Sequence, residues 1–232
     1  MYRSYKLGAA LSHGSQAGAL FDGPAYRGLD CMTLSSDEAQ RCQERVRFLS
    51  GLYGFLRPCD VIQDHRLEMG TKNLPLPEGM RTLYDFWMED LSSALTYHFD
   101  ERPGVLVNVA SEEYFKAVPI HCLDKKKIKI VTCVFKDKGR VVSVYAKRAR
   151  GLMARFVSTD ETVHDAIRSN DVAGMIEALK KFDLENYFFV LESVNTKTSE
   201  ISLTFDRKSP PGKGNGEEPK SQKRGIKRKA YE

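Results

Sequence analysis

Ile128-Lys129-Ile130-Val131-Thr132-Cys133-Val134-Phe135, then Val141-Val142-Ser143-Val144-Tyr145, then Ala146-Lys147-Arg148-Ala149-Arg150-Gly151-Leu152-Met153-Ala154-Arg155-Phe156-Val157: within this stretch the period of the apolar residues changes. The first two segments are β-branched runs and read as strands. From Ala146 onward the pattern is helical. At 100° per residue Ala149, Leu152, Met153 and Phe156 share one side, and Lys147, Arg148, Arg150 and Arg155 share the other. Strands joined to a two-faced helix are the material of an α/β body.

Working outward, further strands are predicted at 105–109, 187–191 and 201–205, and helices at 35–45, 81–97, 161–168 and 172–181. Ser35-x-x-Glu38 is a capping-box pattern, and Leu83, Trp87, Leu91, Ala94 and His98 recur at helical spacing. Helices and strands mix without strict alternation, so the expectation is one α/β domain, with mixed α+β as the variant, built on a central mixed sheet. It spans 17–206, after a poorly determined segment 1–16 and before a disordered basic tail 207–232.

The chain has 232 residues, 41% of them hydrophobic, enough for an ordinary core. Its longest apolar runs are far too short to span a bilayer, which predicts a soluble, cytoplasmic protein. The five cysteines are odd in number and form no C-x2-C pair, which argues for reduced thiols rather than a disulfide framework. His121, Cys122 and Cys133 make at most a partial metal site, so no metal and no cofactor is expected. The net charge of +5 belongs to the tail. Within the body, 116–158 holds twelve Lys or Arg against Asp124 and Asp137, and such segregation predicts one positive surface for a polyanion. In the tail Lys223, Arg224, Lys227, Arg228 and Lys229 resemble a nuclear-import signal or, equally, a nonspecific polybasic arm.

Three segments carry candidate chemistry. Lys147, Arg148, Arg150 and Arg155 form a face of phosphate-binding type, with Gly151 among them where a phosphate could approach the backbone; the alternative is a solvated surface helix. Gly51-Leu52-Tyr53-Gly54, followed by Arg57-Pro58, resembles the hairpin of a helix-hairpin-helix motif, whose backbone N–H groups bind DNA phosphate, although its spacing fits a strand ending in a glycine turn at least as well. His65, Glu68, Asn108 and Glu112 supply an acid/base set if they converge, and ordinary surface ion pairs if they do not.

The same segments carry a resemblance. Leu49-Ser-Gly-Leu-Tyr-Gly-x-Leu-Arg-Pro-x-Asp60, His65-Arg-Leu-Glu-Met-Gly70, Leu83-Tyr-x-Phe-Trp87, Asn108-x-Ala-Ser-x-Glu-Tyr-Phe-Lys116 and Tyr145-Ala-Lys-x-Ala-Arg-Gly-Leu-Met-x-Arg-Phe156 follow one another in this order. Together they resemble the YaaA family of peroxide-stress proteins from Ala17 to Phe205. The resemblance implies an α/β body of unusual topology, a positively charged cleft, hydroperoxide resistance and DNA binding through a helix-hairpin-helix-like element. It also implies an N-terminal strand and Ser-Pro-Ala-Lys segment ahead of the matched part, so this chain is expected to be a shortened member with an added tail.

The leading expectation is a non-enzymatic protein that binds DNA largely independently of sequence, through Gly51, Gly54, Arg57, Lys147, Arg148, Arg150, Gly151 and Arg155, with the tail able to direct it to a nucleus. The alternative is an enzyme modifying nucleic acids or nucleosides through His65, Glu68, Asn108 and Glu112.

Overall fold

The structure, a computed structural model, describes residues 14–99 and 102–207. Its central feature is β6 (Ile128–Asp137), the β-branched run read above. Its neighbours are β5 (Gly104–Asn108) and β8 (Ile201–Arg207), both parallel to it, and β7 (Tyr187–Val194) adds antiparallel to β8, giving the order β5-β6-β8-β7. Parallel neighbours need long crossovers. The link from β6 to β7 and β8 contains three helices, α6 (Ser143–Thr159), α7 (Glu161–Arg168) and α8 (Val172–Leu179).

Those helices cover one sheet face. Val131, Cys133 and Phe135 point from alternate positions of β6 into a cluster with Ala149, Leu152, Met153 and Phe156 of α6, the same residues that share a side in the sequence pattern. Phe135 stacks on Phe205 with ring centroids 5.5 Å apart and meets Phe182 and Tyr187 edge-on. Each such aromatic pair adds about 0.5–1.5 kcal/mol beyond area burial. A second cluster, around Leu95, Val118, Leu123 and Ile128, includes the last turns of α4 (Leu83–Phe99).

The N-terminal part supplies α1 (Ala17–Leu20), α2 (Pro24–Leu29) and α3 (Ser36–Arg45). The capping box forms as predicted: the Glu38 N–H donates to Ser35 Oγ, and the Ser35 N–H donates to Glu38 Oε2 at 2.8 Å. Two small ladders complete this part, β1 (Ser15–Gln16) with β4 (Val61–Ile62), and β2 (Phe48–Ser50) with β3 (Gly54–Leu56).

Two expectations need correction. Val141 to Tyr145 is not a strand: helix α6 begins at Ser143, and Val141, Val144 and Tyr145 are exposed. Ser143 to Tyr145 are instead the first turn of the helix whose Ala146, Ala149, Leu152, Met153 and Phe156 fill the core against the sheet, and the local β preference yields. Nor is Gly51-x-x-Gly54 part of a helix-hairpin-helix. It is the turn of the antiparallel β2–β3 hairpin, with Ser50 paired to Gly54, as the glycine-turn reading of the spacing had it. Gly54 takes φ +68°, and a Cβ there would lie 2.9 Å from the Trp87 ring of α4, so glycine is required twice over.

The sharpest contact is between helices α2 and α6. Gly28 of α2 and Gly151 of α6 face one another: a Cβ on Gly28 would overlap the Arg148 carbonyl, and one on Gly151 would overlap the Ala25 carbonyl. Gly151 is buried in this crossing, so the expectation that it opens the basic face to a phosphate is corrected. In an isolated helix Gly151→Ala would be favourable by about 1 kcal/mol. Here the overlap is with backbone, so the substitution is expected to destabilise by about 1–3 kcal/mol, lowering the melting temperature by several degrees. Urea denaturation checks the sign, and a stabilised Gly151→Ala protein would show that the helices do not cross at this point.

Candidate functional site

β5 stops at Asn108 for a local reason. Its side-chain Oδ1 accepts from the Ala110 N–H at 3.0 Å, an Asx-type turn that takes the chain out of the sheet, and its Nδ2 donates to Thr132 Oγ1 of β6 at 3.2 Å. The chain then forms α5 (Glu112–Phe115). β6 continues past the last rung, Asn108 with Thr132, so from Cys133 onward its β5 flank has no partner strand among the described residues.

A cleft of about 480 Å³ occupies that place. Thr132 to Phe135 form its floor, Asn108, Ala110, Glu112, Phe115 and Lys116 one wall, and Val141, Ala146 and Arg150 the other. It lies at the carboxyl end of parallel strands, where open α/β sheets bind ligands. Arg150 is half-buried there, and among the described residues it has neither a hydrogen bond nor an ion pair. Burial pushes its pKa down, yet an arginine remains charged at any physiological pH. Lys116 sits over the Tyr84 ring, 4.7 Å from its centroid, and Glu112 is the acid among the lining residues. Apolar patches, two cations, one carboxylate and two neutral hydrogen-bonding side chains suit a ligand with an anionic group and a flat or apolar part. Among the described residues, no three or more His, Cys, Asp or Glu are grouped to hold a metal ion. Cys122 and Cys133, weighed together as part of such a site, pack in different core clusters.

The four cations of α6 have different fates. Lys147 is exposed. Arg148 donates to Glu185 at 2.7 Å and reaches the Arg27 carbonyl at 3.4 Å. Arg155 donates to the carbonyls of Leu29 and Asp30 and to Thr33 Oγ1, each at 3.0 Å, and so satisfies the end of α2 that lacks intrahelical donors. Only Lys147 and Arg150 remain available to an outside anion. Arg57 is held by Asp60, with its N–H on Oδ2 at 2.8 Å and its guanidinium 3.1 Å from Oδ1.

The glycine hairpin also turns inward. Ser50 Oγ accepts from the N–H groups of Leu52 and Tyr53, both at 3.2 Å, while the Gly51 carbonyl accepts from Trp87 Nε1 at 2.9 Å. A Cβ on Gly51 would lie 2.6 Å from the Leu67 carbonyl. The acid/base set separates into two groups. Asn108 and Glu112 line the cleft, whereas His65 and Glu68 do not. His65 donates from Nδ1 to the Gln63 carbonyl and accepts at Nε2 from the Ser50 hydroxyl at 3.2 Å, and Glu68 pairs with Arg66 at 3.3 Å.

The positive block is divided by the strand that runs through it. Lys125, Lys126 and Lys127 precede β6, while Lys138 and Arg140 follow it, and ten strand residues span about 33 Å. These two groups of cations therefore stand at opposite ends of β6. Sequence reasoning missed Thr132, Lys116 and the bare flank of β6 as parts of a site. Lys116 stood inside a quoted motif, but strand register alone shows where β5 ends against β6. Lys223, Arg224, Lys227, Arg228 and Lys229 lie outside the described residues.

Fold and cleft define a mixed α/β protein with a ligand-sized opening at the carboxyl end of its parallel strands. No helix among the described residues is long and apolar enough to cross a membrane. The profile of the family described as "Peroxide stress protein YaaA" matches residues 2–192, and the chain belongs to that family. It is 45% identical over 198 residues to the UPF0246 protein RSc2009 of Ralstonia nicotianae, covering 83% of this chain and 70% of that one. It is 40% identical over 214 residues to a UPF0246 protein of Verminephrobacter eiseniae, covering 90% and 75%. A UPF0246 protein of Bordetella avium is 42% identical over 193 residues, covering 81% and 69%. Membership is consistent with a role in the response to oxidative stress.

The different fates of the cations can be measured as stability. Arg155→Gln leaves the Leu29 carbonyl at the end of α2 without its donor, whereas the Asp30 carbonyl keeps the Thr33 N–H and hydroxyl, an expected loss of about 1–3 kcal/mol; Lys147→Gln should change unfolding free energy by less than about 0.5 kcal/mol. Equal effects in chemical denaturation would refute this division of the α6 face.

Proposed function

We propose that the chain serves the hydroperoxide response as a DNA-binding protein that holds the phosphate backbone at the β6 cleft. The observation that carries this reading is Arg150, a half-buried guanidinium without an acidic partner among the described residues. A desolvated, uncompensated charge is costly, and a phosphate entering the cleft would offset that cost through charge-assisted hydrogen bonds. Lys147 stands three residues earlier on the same helix face. Lys116 lies on the opposite wall, and the 138–140 turn, just before Val141 of the lining, adds Lys138 and Arg140. Such contacts fix position without reading bases, so binding is sequence-tolerant. The glycine hairpin, Arg57, Arg148, Gly151 and Arg155 support the scaffold in this reading.

A specific observation favours a second reading, an enzyme acting on a nucleic acid or nucleoside: Asn108 and Glu112 share the cleft with Arg150. Glu112→Gln separates the two. In a binder, removing the negative charge raises DNA affinity modestly and abolishes nothing; in an enzyme, it removes turnover while leaving affinity nearly intact.

For the binder, the combined Lys116→Gln, Lys147→Gln and Arg150→Gln protein is expected to remain folded and lose affinity for all DNA sequences alike. On duplex DNA, the magnitude of its log-affinity against log-salt slope should drop by about 0.9 for each phosphate that is no longer neutralised. Replacing Lys125 and Lys126 at the other end of β6 should leave the slope in place, and removing 208–232 should weaken binding without abolishing it. An unchanged slope in the triple variant, measured by fluorescence anisotropy across a salt series, would overturn the cleft as the phosphate site.

A further inference from the structure

Three large apolar side chains stand in solvent where the chain passes from β6 to α6. Val141, Val144 and Tyr145 are 62%, 54% and 40% exposed, although the helix packs on the sheet directly after them. The segment that carries them is fixed at both ends by one residue. Arg207, at the end of β8, pairs through Nε with Asp137 Oδ1 at 3.1 Å, just before the 138–140 turn, and its guanidinium lies 3.9 Å from the centroid of the Tyr145 ring, after that turn. The turn itself is tight: Asp137 and Arg140 exchange backbone hydrogen bonds at 2.7 and 3.2 Å, and the Gly139 N–H donates to Asp206 Oδ2 at 2.9 Å. Tyr145 therefore rests on a cation that is itself held, and it still exposes two-fifths of its surface.

We propose that Tyr145 is a stacking platform for an unpaired nucleobase, so that this ring and the phosphate site at the β6 cleft together hold single-stranded nucleic acid. In its phosphate half the inference rests on the cleft reading above. The charges around the patch suit that partner. Lys138, Arg140 and Lys147 are exposed beside it in the chain, while the neighbouring acids are already engaged, Asp137 by Arg207, Asp206 by the Gly139 N–H and Glu185 by Arg148. An apolar surface among cations draws in a polyanion and offers its bases a π face, which any base can cover. Val141 is common to the two parts, since it lines the cleft as well as the exposed group. Along α6, Tyr145 and Arg150 are five residues apart, about 7.5 Å of helix axis, or about two steps of a stacked strand at roughly 3.4 Å each. A phosphate on Arg150 thus leaves a base one or two nucleotides along in position for the ring.

Arg207 prepares the platform. The Asp137 pair keeps its guanidinium against the ring, and a ring held in this way loses little freedom when a base covers it. In a duplex the bases are stacked on one another and present no face to the ring. Phosphate contacts are the same for both forms, so the aromatic contact is what separates single strands from duplexes.

The test compares the affinity of the full chain for a fluorescein-labelled oligothymidylate and for a duplex of equal length, by fluorescence anisotropy. Tyr145→Ala is expected to weaken oligothymidylate binding by about 5- to 150-fold and to leave duplex binding in place. Its log-affinity against log-salt slope on the single strand should be unchanged, because no cation is removed. Tyr145→Phe keeps the ring and should bind like the unaltered chain. Tyr145→Leu, which keeps apolar bulk without a π face, serves if Tyr145→Ala fails to fold, and should show the same selective loss. Equal losses on single strand and duplex would make Tyr145 a structural residue, and an undiminished single-strand affinity would remove it from the interface; either result overturns the platform. Binding to phosphatidylglycerol vesicles that Tyr145→Ala abolishes, with oligothymidylate affinity untouched, would assign the patch to a membrane surface and overturn it too. The two readings fail separately: single-strand affinity that depends on Tyr145, with a salt slope indifferent to the combined Lys116, Lys147 and Arg150 substitutions, would keep the platform and overturn the cleft.

Discussion

The hydrogen-bonding of β6 sets the terms for the rest of the molecule. On one flank β8 pairs with it from Val131 to the end of the strand; on the other β5 pairs with it only up to Thr132. The flank paired with β8 runs the length that carries Val131, Cys133 and Phe135 into the aromatic core and obliges the chain to cross over through α6, α7 and α8. The unsaturated part leaves a bare strand edge between two helices, and the cleft is what remains there. Core and candidate site are thus two consequences of one mismatch in strand length.

α6 serves both. Its apolar side completes the core, and its polar side is divided between holding the N-terminal part in place and meeting a ligand. Gly151 lets α2 approach to backbone contact, and Arg155 and Arg148 then fasten the carbonyls and carboxylate that this approach brings within reach. Arg148 is neutralised by Glu185, and Arg155 is engaged by neutral acceptors while keeping its charge. What the helix offers outside is narrower than its composition suggests, a single exposed lysine and a half-buried arginine, and this narrowness favours a localised phosphate grip over a broad electrostatic face.

The same packing fixes the turn that follows α2. Arg155 of α6 holds it on both sides, at the Asp30 carbonyl and the Thr33 hydroxyl, and Cys31 between them packs against the core cluster that includes Leu29 of α2 and Cys42 of α3. The helix that borders the cleft is thereby joined to the N-terminal part of the chain by side-chain bonds as well as by the glycine crossing.

By itself the sequence determined the elements with strong local signals. The Ser35–Glu38 capping box, the apolar stripe Ala149-Leu152-Met153-Phe156 and the strand around Val131 all stand as read, because caps and periodicity involve residues only a few positions apart. The ordered motifs were also enough to identify the family. The site was less legible. Val141 to Tyr145 carries strand residues, but Ser143 onward is taken into the helix that packs on the sheet; Gly51 and Gly54 carry a hairpin spacing but face Leu67 and Trp87; Gly151 lies on the cationic side but against Ala25. Each depends on what arrives from far along the chain. Tertiary structure alone decided which cations found partners and where β5 stops against β6, because contacts between distant segments leave no period in a single sequence.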